Sequence, residues 1–143
     1  MNNTLILYEN NSNKEVKEML NKIEAIIYNA KLHQITEEIK DIDLYSNVLV
    51  AISAEDENHF NLYKSLREHN IDFTDRKLII VCIGKAKQDA IKYIAEVQDI
   101  TKKYDLYYYF ININGNVCEN VTNAAINIRQ YIETPKKKAQ KSY

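Results

Sequence analysis

The stretch TLILYENNSNKEVKEMLNKIEAIIYNA, residues 4–30, decides the fold. Thr4 to Tyr8 is an almost wholly apolar run of strand length. After a five-residue loop, Val16, Leu20, Ile23 and Ile27 recur at helical spacing, and Ser12 with Glu15 three residues later reads as a capping box. The predicted helix begins near Asn13 and covers 14–30. A buried strand, a short loop and an amphipathic helix form the opening unit of a parallel α/β sheet. In such a unit the loop meets the helix N-terminus, where unsatisfied N–H groups favour an anion. Here the loop is Glu9, Asn10, Asn11, Ser12 and Asn13, without a glycine and opening on a carboxylate. The fold signal is strong, and the anion cradle is altered.

The same alternation continues along the chain. Residues 31–35 are more polar and suit a sheet edge, whereas 48–52 and 78–83 are continuously apolar and suit central strands buried on both faces. Helical periods are predicted over 58–70, around Leu62 and Leu66, and over 88–104, around Ile91, Ile94 and Ile100. A fifth strand covers 106–113, with Tyr107, Tyr108 and Tyr109 pointing to alternating faces; the tyrosines read as strand packing rather than a cofactor platform. Gly115, an Asn116 cap with Glu119 three residues on, and Val121, Ala125, Ile128 and Ile132 predict a closing helix. The simplest arrangement is an α/β doubly wound, five-stranded parallel sheet of order 2-1-3-4-5 with helices on both faces. Ligands of such sheets sit beyond the carboxyl ends of the strands, where the order reverses between strands one and three. That crevice would be lined by 9–13, 53–60 and 84–87.

Composition narrows the class. The 143 residues, 45% hydrophobic and 27% charged, suit one globular domain, expected over 1–134 with a basic tail at 135–143. The tail carries Lys136, Lys137, Lys138 and Lys141 and reads as a solvated terminus. A net charge of −1 gives no attraction to nucleic acid. No apolar run is long enough to span a bilayer and the opening residues do not form a signal peptide, so a cytoplasmic location is expected. Cys82 lies in an apolar run and Cys118 beside a predicted helix start; both are expected as reduced thiols, Cys118 the more available. His33, His59 and His69 lack metal-ligand spacing. Glycine occurs only at positions 84 and 115, which excludes a P-loop and a dinucleotide fingerprint. Ser53 is flanked by Ile52 and Ala54 and cannot form a nucleophile elbow. A phosphoacceptor receiver domain needs an acidic pair after strand one and an aspartate after strand three; Glu9 stands alone, Ser53 replaces the aspartate, and Asn114 stands where a lysine would end strand five.

Four segments carry a resemblance to a known family: LILYENNSN at 5–13, DIDLYSNVLVAIS at 41–53, DRKLIIVCIG at 75–84 and DLYYYFININGNV at 105–117. Over nearly its whole length the chain resembles the flavodoxin family, and in particular the short flavodoxin-domain proteins related to menaquinone-dependent protoporphyrinogen oxidase. The resemblance implies noncovalent FMN and electron transfer to a redox protein partner. The implied phosphate loop is Glu9, Asn10, Asn11, Ser12 and Asn13. Of these only Ser12 matches the family's T-x-T-G-N-T chemistry, although asparagine amides can donate and tolerate positive φ. Glu9 beside a phosphate dianion would cost on the order of 1 kcal/mol or more. The implied ring contacts are Ser53, Ala54, His59, Phe60, Gly84 and Lys85. Glu55, Asp56 and Glu57 suit either a low-potential flavin or the acidic first turn of a helix.

Two functions follow. One is an FMN-binding electron-transfer or oxidoreductase protein. The other is a flavodoxin-type fold that has lost FMN and serves as an interaction or regulatory module, as the missing glycine and Glu9 suggest.

Overall fold

A computed structural model describes residues 3–8, 14–34, 39, 42–53, 76–85, 88 and 106–134. Its strands are β1 (Thr4–Tyr8), β2 (Ala30–Gln34), β3 (Asn47–Ser53), β4 (Lys77–Gly84) and β5 (Leu106–Asn112). All pairings are parallel and the sheet order is β2-β1-β3-β4-β5. Helix α1 is Lys14–Ile27 and helix α2 is Val117–Glu133. The expected helices over 58–70 and 88–104 lie outside the described residues, apart from Gln88, which is helical.

Side chains alternate between two buried faces, as the period of a strand requires. Ile6 and Tyr8, Leu49 and Ala51, Ile79, Val81 and Ile83, and Ile111 meet Val16, Leu20, Ile23 and Ile27 of α1 and Val121, Ala125, Ile128 and Ile132 of α2. Leu5, Leu7, Val48, Val50, Ile52, Leu78, Ile80 and Cys82 bury the other face. Every residue of β4 is buried, which is why its sequence reads as an unbroken apolar run; a fully buried Ile or Leu contributes roughly 1.5–3 kcal/mol. Among the described residues β2 pairs only with β1, and it is largely half-buried, in keeping with its polar sequence.

Every element but β1 and α2 departs from its expected bounds: β2 begins at Ala30 rather than residue 31, and β3 and β4 each run one residue further at both ends. Helix α1 stops at Ile27 rather than residue 30, because Tyr28 and Asn29 adopt left-handed φ values of 68° and 49°. The Asn29 carbonyl then accepts the Thr4 N–H at 2.9 Å, so the turn leads directly into β2 at Ala30. β5 stops at Asn112 rather than residue 113. Its continuation still bonds to β4, since the Ile113 N–H donates to the Gly84 carbonyl at 3.0 Å.

The amino-terminal end of the sheet is latched by polar groups that periodicity does not reveal. Asn47 is buried and its side chain donates to Thr4 Oγ1 at 3.2 Å. Arg76 donates to the Tyr45 carbonyl at 3.0 Å and to Asp43 at 2.8 Å, holding the 3-10 turn Ile42–Leu44. Lys77 Nζ donates to the carbonyls of Tyr131 at 2.7 Å, Ile132 at 3.1 Å, and Thr134. These bonds hold the carboxyl end of α2 against the start of β4.

Candidate functional site

Parallel pairing brings the carboxyl ends of β1, β3, β4 and β5 to one edge of the sheet. Tyr8 ends β1 and is buried. Ser53 ends β3, half-buried, and lies opposite Ile83 of β4. Gly84 follows, buried and paired with Asn112 of β5. Lys85 is exposed. Of the residues proposed from sequence, Ser53, Gly84 and Lys85 are therefore gathered at the carboxyl ends of adjacent strands. Glu9, Asn10, Asn11, Ser12, Asn13, Ala54, His59 and Phe60 lie outside the described residues. Helix α1 begins at Lys14, immediately after the first loop.

An asparagine network borders this edge and was not singled out from sequence. Asn112 Oδ1 accepts the Asn114 N–H at 2.7 Å, an Asx turn, and Asn114 Nδ2 donates to the Lys85 carbonyl at 3.2 Å. Asn120 Nδ2 reaches back to the Asn112 carbonyl at 2.9 Å. The loop after β5 is thus tied both to the loop after β4 and to the first turn of α2. Its signal was legible in ININGN: asparagines at alternate positions before a glycine favour side-chain-closed turns. Gly115 takes φ +79°, a conformation L side chains rarely adopt. Asn116 caps α2, its Oδ1 accepting the Glu119 N–H at 3.1 Å while its Nδ2 donates to the Glu119 carboxylate.

The tyrosines of β5 divide between faces as strand packing requires. Tyr107 and Tyr109 pack toward the helices, with Tyr107 stacked on Tyr131 at 4.5 Å, whereas Tyr108 joins the opposite core. Burial raises the pKa of Tyr107 and of Tyr108, with smaller upward contributions from Tyr109 and Cys82 respectively. They form no common platform. Cys82 is buried in the core and Cys118 is exposed, as expected. Among the described residues no three His, Cys, Asp or Glu side chains form a metal-binding group.

Solved structures similar to this chain share its topology. A flavodoxin of Fusobacterium nucleatum bound to flavin mononucleotide aligns with a TM-score of 0.62 at 18% identity, over 92% of this chain and 99% of its own. A lysine-to-glycine mutant of that flavodoxin, also bound to flavin mononucleotide, aligns at 0.56 and 18% identity over 92% and 93%. The fold is flavodoxin-like. A response regulator from Colwellia psychrerythraea aligns at 0.54 and 12% identity over 92% and 99%, so the flavodoxin-like sheet is shared with a protein of a different class. No protein-family model matches the sequence and no curated protein matches it. No helix among the described residues is long and apolar enough to cross a membrane.

Proposed function

We propose that this chain is a flavodoxin-like, FMN-binding electron-transfer protein. The observation that carries the reading is the reversal of strand order between β1 and β3, which in a doubly wound parallel sheet opens a ligand crevice beyond the strand ends. The FMN-bound flavodoxins of like topology suggest the class of ligand. The residues fit such a group. Asn10, Asn11, Ser12 and Asn13 offer neutral amide and hydroxyl donors next to the first N–H groups of α1, a combination suited to phosphate. Ser53 and Gly84 are small and end neighbouring strands, and the ring contacts that the resemblance implies add Ala54, His59, Phe60 and Lys85. Glu9 opposes the phosphate charge, so weaker phosphate retention than a glycine-rich loop provides is expected. FMN would supply the electron transfer; the chain's residues bind and orient it for a redox protein partner.

The narrower kinship with flavodoxin-domain proteins related to menaquinone-dependent protoporphyrinogen oxidase rests on the sequence patterns. A single domain over 1–134, a cytoplasmic location and no role for nucleic acid complete the proposal. Phosphoacceptor chemistry is disfavoured because Ser53, at the carboxyl end of β3, has no carboxylate to phosphorylate.

Titration of the flavin-free protein with FMN, using riboflavin as the phosphate-free control, tests the reading. Tight FMN binding with weak riboflavin binding is expected. Combining Ser12→Ala with Asn13→Asp should weaken FMN binding at least about tenfold, since each lost or repelling phosphate contact is worth roughly 1 kcal/mol or more. Unchanged affinity in that variant would remove the loop assignment. Absence of binding by either flavin would overturn the proposal and direct attention to an interaction or regulatory role.

A further inference from the structure

Lys22 of α1 and Cys118 of α2 lie 96 residues apart in the chain, yet Lys22 Nζ stands 2.7 Å from Cys118 Sγ. That separation is at the short end of the roughly 2.7–3.2 Å range for an N–H donor to oxygen, and sulfur is the larger atom. The amine and the thiol are therefore close enough to be joined covalently with little movement of either helix. They border a groove of about 450 Å³ whose apolar lining includes Met19, Ile113, Val117 and Val121. Cys118 is exposed, so a small oxidant can reach its sulfur, whereas Cys82 is buried in the opposite core.

We propose that Lys22 and Cys118 form an oxidant-driven sulfur–nitrogen crosslink that ties α1 to α2. The oxidant is hydrogen peroxide. The Cys118 sulfur attacks one peroxide oxygen, the O–O bond breaks, and the thiol becomes a sulfenic acid while the other oxygen leaves as water. Sulfur has then lost two electrons and the peroxide has gained them. The unprotonated Lys22 amine attacks the sulfenic sulfur; the S–N bond forms as the S–O bond breaks, and the hydroxyl leaves with an amine proton as a second water. This is the sulfenamide condensation known for backbone nitrogen, with a lysine supplying the nitrogen. The net change in the protein is loss of two hydrogen atoms. A thiol reductant reverses it by attacking sulfur and releasing the amine. The link would join the two helices that cover one face of the sheet, and it does not depend on FMN.

Exposure of the full chain to stoichiometric peroxide, followed by intact-mass measurement and peptide mapping, tests the proposal. The expected product has lost two hydrogens, yields a joined peptide pair containing Lys22 and Cys118, and returns to the starting mass with dithiothreitol. By closing a loop of this length the link should raise Tm by about 5–10 °C. Lys22→Arg keeps the charge but lacks a primary amine, and should give oxygen additions at Cys118 without the joined peptides or the rise in Tm. If the unaltered protein gives only oxygen additions at Cys118, or a disulfide between two chains, the proposal is overturned.

Discussion

Tyr28 and Asn29 terminate α1 through two consecutive left-handed residues, a conformation in which a Cβ crowds the backbone. Asparagine tolerates it better than tyrosine, and Arg129 lies over the Tyr28 ring at 5.2 Å, giving the exposed aromatic a partner. Asn29→Gly should retain the carbonyl bond to Thr4 and relieve the crowding, raising stability by about 0.5–1 kcal/mol; the readout is a higher urea midpoint with unchanged slope. Tyr108 presents the opposite problem. Its hydroxyl is buried without a hydrogen-bond partner among the described residues, so Tyr108→Phe should be neutral or stabilising by up to about 1 kcal/mol. Burial holds the Tyr107 and Tyr108 phenols neutral above the ordinary tyrosine value of 10.0. The sign follows from linkage: the folded state keeps protons that the unfolded state releases. The contribution is therefore complete below pH 10.0 and is lost as pH rises through the higher folded values. Urea midpoints should fall across that alkaline range, and less steeply in Tyr108→Phe.

At the scale of an element, Lys77 is the least expected contributor. A lysine ahead of an apolar run reads as a solvated strand end, but here it is buried and its ammonium caps the carboxyl end of α2 through three carbonyls. It also lies 5.0 Å from the centroid of the Tyr131 ring, which stacks on Tyr107. The positive charge meets both the helix dipole and the carbonyls at the end of the helix. Lys77→Met keeps most of the stem and removes the charge. It should cost about 2–3 kcal/mol and speed amide hydrogen exchange in the last turn of α2. The amino end of the same helix was legible, because an Asn116 cap with Glu119 three residues on is a local code satisfied within one turn. The carboxyl end was not, since its capping group comes from 54 residues or more away.

For the whole molecule, FMN binding predicts a concentration-dependent gain in stability, because a ligand bound only by the native state adds RT ln(1 + [L]/Kd). At a hundredfold excess over Kd the gain is about 2.7 kcal/mol, so Tm should climb with FMN and stay nearly constant with riboflavin. Glu9→Gln should enlarge the FMN effect by removing a like charge. An identical Tm at all FMN concentrations would contradict the proposed site. The sequence by itself determined the strands and their order: the period-2 and period-3.6 apolar patterns, together with the cap at Asn116, are local signals, and burial on two faces leaves β3 and β4 no polar alternative. It also placed Ser53, Gly84 and Lys85 at the carboxyl ends of their strands, since topology alone sends every carboxyl end to one edge. Only the tertiary structure decided which polar groups meet. The Lys77 latch, the Asn114 bond to Lys85 and the contact of Lys22 with Cys118 join residues 57, 29 and 96 positions apart at most, and side-chain hydrogen bonds across such separations leave no periodic trace in the chain.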